Sequence, residues 1–227
     1  MPVLIAALVL LAAVFGPGMW VRSVLARHHE PADRYPFSGA ELARRLLDSE
    51  GLHAVRVEPV PAGDHYDPVD RVVRLTPANH DGRSLTAVTV AAHEVGHAVQ
   101  HAAGFGPLLW RTELVQWVRP AERLGIGILF LAPLVLAFTR IPVSGVITVV
   151  GGLLVLGLGA AVHAVTLPTE LDASFGRALP LLARERVLHP ADQQHARTIL
   201  TAAALTYLAA SLLSLVNVGR WWAVLRR

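Results

Sequence analysis

Four long runs without charge constrain what this chain can fold into: "PVLIAALVLLAAVFGPGMWV" (2–21), "LGIGILFLAPLVLAF" (124–138), "VSGVITVVGGLLVLGLGAAVHAVTL" (143–167) and "LTAAALTYLAASLLSLVNV" (200–218). A hydrocarbon core takes about 20 apolar residues per helical span, so each run reads as a spanning candidate. The first has no basic residue ahead of it and its apolar run opens directly after Met1. That pattern favours an uncleaved anchor over a secretory leader. The chain is 53% hydrophobic over 227 residues, yet a charged stretch separates the first run from the second. The expected fold class is therefore a mainly α membrane protein with about four transmembrane helices and a small α+β domain inserted between the first and second. The boundaries follow: 1–21 an anchor, 22–123 a water-facing domain, 124–167 a transmembrane hairpin, 168–199 a membrane-proximal helical segment, and 200–227 a last span with a short tail.

Composition excludes several classes. There is no cysteine, so disulfides and thiolate ligands are absent and any metal must be held by His, Asp or Glu. All 20 basic residues are arginine, a bias that fits GC-rich coding better than any binding chemistry. Arginines and acids interleave through 22–123 without a basic stripe or stacking aromatics, so no nucleic-acid partner is expected.

Within the charged region, "SGAELARRLLDSEGL" reads as a capped helix. Ser38 is the N-cap, Glu41 completes a capping box, Leu42, Leu46 and Leu47 share one face, and Gly51 stops it. "HAVRVEPV" alternates like a strand, and "DHYDPVDRVVRL" reads as a turn through Asp67-Pro68 leading into a second strand at 71–75. "TPANHDGRS" reads as a loop whose Ser84 caps the next helix.

That helix carries "AAHEVGHAVQ" (91–100). Four residues apart on a helix, His93 and His97 can point imidazole nitrogens at one ion, while Glu94, on a neighbouring face, can reach a water on that ion and act as its general base. This gives the inserted domain a zincin-like character, with Zn2+ as the expected cofactor. The bland alternative is a chance HExxH match on a polar helix face. The surrounding small apolar residues argue against it, because the histidines would otherwise be unexplained polar groups on a buried segment. A catalytic zinc usually takes a third protein ligand and keeps one position open. His101 continues the series but lies roughly 12 Å along the axis from His93, too far to share an ion. The metzincin spacing would need Gly at 100 and His at 103, where Gln100 and Ala103 stand. The remaining candidates are Glu113, Glu122, Glu170, Asp172, Glu185 and Asp192. Glu170, in "LPTELDAS", stands out because the chain returns there from the expected hairpin. Thr169 also reads as a helix cap, with Glu170 and Asp172 complementing its N-terminal dipole.

"SGAELARRLL", "DHYDPVDRVVRL", "AVTVAAHEVGHAVQ", "LPTELDAS" and "ARTILTAAALTYLAASL", in this order, resemble the bacterial membrane zinc metallopeptidases of the YugP type. The resemblance covers most of the chain after the first run. It implies a multipass membrane peptidase with His93 and His97 as zinc ligands and Glu94 as the catalytic residue. Membrane gluzincins more broadly take a third ligand from a glutamate on a later helix, with an aspartate four residues after it. Here Glu170 fits the first role, Asp172 is only two residues on, and Ser174 occupies the fourth position.

The expected activity is zinc-dependent hydrolysis of a peptide or membrane-protein substrate in the cell membrane. The candidates by type for steadying the developing oxyanion are His65, Tyr66, Arg177 and Tyr207. "RVVRL" reads as a possible edge strand for an extended substrate. His163, inside the third run, reads as a helix–helix or headgroup contact. An excess of arginines beside the expected spans on the domain side favours a cytoplasmic site. Two rival readings share these residues: a non-enzymatic transporter or scaffold, and a zinc hydrolase of a non-peptide substrate.

Overall fold

A computed structural model describes residues 2–139 and 142–206. The chain begins with a long helix, α1 (Pro2–Arg27), followed by an irregular stretch and α2 (Gly39–Ser49). Three short strands come next, β1 (Arg56–Pro59), β2 (His65–Asp67) and β3 (Val72–Leu75), and then a single-turn helix α3 (Pro77–His80). The motif lies on α4 (Leu85–Ala102). Two long helices, α5 (Gly106–Thr139) and α6 (Pro142–Leu171), precede a π-helical segment (Asp172–Ala178), α7 (Leu179–Arg184), a 3-10 turn (Pro190–Asp192) and the helical residues 193–206, here α8.

Local chemistry accounts for α2. The Ser38 side chain accepts from the Glu41 backbone amide at 3.2 Å, and the Glu41 carboxylate accepts from the Ser38 amide at 2.6 Å. This is the reciprocal capping box read from the sequence. The helix ends as expected, with Gly51 at a φ of 71°, a conformation glycine adopts without steric cost. Leu42, Leu46 and Leu47 are buried against α4, each contributing roughly 1.5–3 kcal/mol by leaving water.

The sheet order is β1-β3-β2, with β1 and β3 parallel and β2 and β3 antiparallel. The expected turn after Asp67 forms at 68–71, with the Val69 and Asp70 amides donating to the Asp67 carboxylate; His65–Asp67 before it add an unexpected strand, β2, and β3 is central. An extended substrate cannot add to "RVVRL", because both of its edges are already paired. "TPANHDGRS" is partly helical, with Thr76 preceding Pro77 at the first helical position, where the missing amide costs nothing.

α4 is the axis of the domain. All residues from Leu85 to Gln100 are buried, with α2, the sheet and the π segment packed around it. A Cβ on Gly96 would sit 2.5 Å from the Ala173 carbonyl oxygen, so only glycine lets the π segment's backbone lie this close to α4.

The helices α5 and α6 pack on one another as an antiparallel pair. Leu136 lies against Gly145 near their junction, while Arg111 and Glu170 meet at the other end. Residues read separately as domain (106–123) and span (124–138) thus form one helix. Among the described residues, no helix is long and apolar enough to cross a membrane. This corrects the expectation of four transmembrane helices. That expectation counted uncharged residues, but 124–138 would reach only about 22 Å of a roughly 30 Å core, and Gly16, Pro17 and Gly18 interrupt the first run. Most of the fourth run, with Tyr207 and the tail, lies outside the described residues, as do the side chains of Glu122 and His163. The membrane orientation built on four spans loses its basis with them.

Candidate metal centre

The site forms where α4 meets the end of α6. His93 and His97 point their Nε2 atoms at one oxygen of Glu170, each 3.2 Å from Oε2. The imidazole rings stand edge to face with centroids 4.8 Å apart. Exposure is 3% for His93, 5% for His97 and 0% for Glu170. Among the described residues this is the single cluster of His and acidic groups close enough to hold a metal ion, its ligand atoms all within 4.8 Å of one another.

The surrounding hydrogen bonds decide which nitrogens carry protons. The Ser174 hydroxyl donates to the Leu200 carbonyl at 3.1 Å and lies 3.0 Å from His93 Nδ1. Its proton being spent, it accepts from Nδ1–H. Gln100 Nε2 donates to the Thr169 carbonyl and to Asp172 Oδ2, both at 2.8 Å. Its Oε1 is therefore the acceptor for His97 Nδ1–H, 3.0 Å away. Both histidines then present bare Nε2 lone pairs to a carboxylate oxygen. Three acceptors converge with no donor among them, an arrangement that calls for a cation. Two imidazoles and a carboxylate suit zinc, and the hydrogen bonds that fix the imidazole tautomers are the kind that orient metal ligands.

Burial pushes the Glu170 carboxyl up, and only positive charge and N–H donation from His97 and His93 hold it well below the usual carboxylate range; with both Nε2 atoms bare, a cation at the corner has to supply that positive charge. Its other oxygen, Oε1, accepts from Arg111 at 3.1 Å. Glu94 behaves oppositely. Burial raises its carboxyl to about 7, with Glu170 and Asp64 adding to the rise and His93 and the Tyr66 backbone amide opposing it.

A cavity of about 370 Å³ opens onto this corner, lined by His93, Glu94 and His97 on one side and by Asp64, Leu25 and Thr206 among the other walls. Asp64 is held by the Thr76 amide, the Thr76 hydroxyl and Asn79. Its carboxylate is thus a fixed charge in the wall.

The structure brings together His93, Glu94, His97 and Glu170. It leaves the other acids elsewhere: Asp172 with Gln100 and Arg177, Glu185 with Arg45 and Arg184, and Asp192 with Arg34 and Tyr35. His101 is taken by Tyr66, 2.8 Å away. Of the candidate oxyanion donors, His65, Tyr66 and Arg177 do not line the cavity. Glu170 lies in the last turn of α6 instead of the first turn of a new helix, and the Thr169 hydroxyl, buried without a partner, caps nothing. Sequence reasoning missed Gln100, Ser174 and Arg111. Gln100 had a signal: three residues after His97 and seven after His93, a polar side chain on the same face of a buried helix needs a polar job.

A curated relative, from Bacillus subtilis (strain 168), carries the name "Putative membrane protease YugP". It is 36% identical over 217 residues, spanning 92% of this chain and 92% of its own. No solved structure matches. Residues 3–226 match the family described as "Putative neutral zinc metallopeptidase", and the chain belongs to that family.

Proposed function

We propose that the protein is a gluzincin-like zinc peptidase in which His93, His97 and Glu170 hold the metal and Glu94 is the general base. The observation that carries this reading is the convergence of two lone-pair nitrogens and one carboxylate oxygen at a buried corner that opens to a cavity. Bound zinc supplies Lewis acidity toward a substrate carbonyl and toward water at neutral pH. The chain's own residues do the rest. Ser174 and Gln100 hold the two imidazoles in the tautomer that leaves Nε2 free. Glu94, buried and lining the same cavity, takes a proton from the attacking water and returns it to the leaving amine. Leu25, Val90 and Ala203 give the cavity an apolar wall beside these groups.

The substrate is a peptide or a membrane protein, and the protein acts at a lipid surface. The relative's name supports the membrane association. So do the bulky apolar side chains left in the open, Met19 and Trp20 on α1 and Trp110 and Trp117 on α5, the last 80% exposed. Large apolar side chains left in water in this way are a common mark of an interaction face.

The test is zinc content and peptide cleavage on the purified full-length chain. About one zinc per chain is expected, with cleavage of a mixed peptide library that a chelator stops and added zinc restores. Protein that carries no zinc, or cleaves equally well after chelation, rules the reading out.

A further inference from the structure

We infer that Arg111 is a positioning residue for the metal ligand Glu170: by holding one carboxylate oxygen, it leaves the other as the sole oxygen that can meet the ion. The inference rests on the zinc reading above and goes beyond it in assigning a role to a residue outside the motif.

The two oxygens of Glu170 are treated differently. Oε2 faces both imidazoles at 3.2 Å, whereas Oε1 accepts from Arg111 at 3.1 Å. The Glu170 side chain is fully buried and that of Arg111 is 17% exposed, so the contact sits largely out of water, where directional hydrogen bonds to a charge hold geometry best. A carboxylate can meet a cation with one oxygen or with two. A catalytic zinc with three single-atom protein ligands keeps its fourth position for the reacting water, and a glutamate turning both oxygens inward would crowd that position. Arg111 blocks that rotation. An arginine suits the task because it stays charged and donates in a rigid plane.

Arg111 arrives from α5, while the other two ligands come from α4 and Glu170 from the end of α6. The position of α5 is therefore linked to how Glu170 faces the ion. A purely structural role, closing α5 onto α6, predicts effects on stability alone. The positioning role predicts a change in the metal's own coordination.

The test uses full-length protein loaded with cobalt(II) in place of zinc, read by visible absorption and X-ray absorption. Wild-type protein is expected to bind one cobalt with the strong visible bands of a roughly four-coordinate ion. Arg111→Met is expected to keep the cobalt but to lose several-fold in band intensity as coordination rises from about four to about five light atoms. Arg111→Gln, whose amide is too short to span to Oε1, is expected to do the same and serves if the methionine variant does not fold. Either folded variant showing the wild-type cobalt spectrum overturns the assignment while leaving the zinc reading intact. A wild-type chain that takes up no cobalt or zinc overturns both.

Discussion

In the proposed site, His93 and His97 are poised as ligands because neighbouring groups choose their tautomer. Ser174 and Gln100 each present an acceptor to Nδ1–H, which leaves both Nε2 atoms bare. Removing either histidine is expected to abolish zinc binding, and Glu170→Ala to weaken it strongly. His101→Ala should retain one zinc per chain, since His101 serves Tyr66 and not the corner; metal analysis of the four purified variants decides between these outcomes. Gln100→Leu removes the acceptor that orients His97 and strands the Asp172 and Thr169 partners. Loss of such an orienting contact typically costs about 10–100-fold in metal affinity, and competition with a chromophoric chelator will measure it. Unchanged affinity would mean that His97 is held by its backbone alone.

Between elements, α4 and the π segment approach closely at Gly96. A methyl group there would meet the Ala173 carbonyl oxygen at 2.5 Å. Gly96→Ala is expected to cost about 1–3 kcal/mol and to lower zinc affinity, because separating the two backbones pulls Ser174 from His93. Leu46→Ala, in the α2–α4 interface, should cost about 2–5 kcal/mol and leave zinc stoichiometry untouched. Denaturant titration with parallel metal analysis separates the two effects. The elements that the sequence reveals are those fixed locally. The Ser38–Glu41 capping box, Gly51 and the spacing of His93 and His97 depend on residues within a turn or two of one another. β2 was illegible because His65, Tyr66 and Asp67 are all half-buried and show no alternation; only pairing with β3 makes them a strand. The π segment was hidden for a similar reason, since its course depends on a contact with Gly96, 77 positions before Ala173 in the numbering. Glu170 could be singled out among six acids but not secured, because what selects it is the antiparallel return of α6 to α4.

At the scale of the molecule, the segment after α1 is clamped to the start of α8. Arg34 and Tyr35 both bond the buried Asp192, at 2.6 Å and 2.7 Å. Burial would raise the Asp192 carboxyl, but the bonds from Arg34 and Tyr35 outweigh it and hold it below its ordinary value of 3.8. A group depressed on folding stabilises the native state above its unfolded value and loses that contribution as pH falls through the folded one. Asp192→Asn should therefore cost about 1–3 kcal/mol near neutral pH, with the gap to wild type closing below about pH 4; a gap independent of pH would refute the charge's role. The apolar runs were the least reliable guide at this scale: they marked helices correctly at α1, α5 and α6 but not spans, since lack of charge alone does not measure a crossing. The central claim is that Glu94 performs proton transfer beside an ion held by His93, His97 and Glu170, and cleavage by Glu94→Gln protein tests it most directly. The amide keeps the shape of the carboxylate and contacts no ligand atom of the corner, so zinc should remain at one per chain while peptide cleavage falls by about 10²–10⁴-fold. Cleavage at the wild-type rate by the zinc-loaded variant would contradict it.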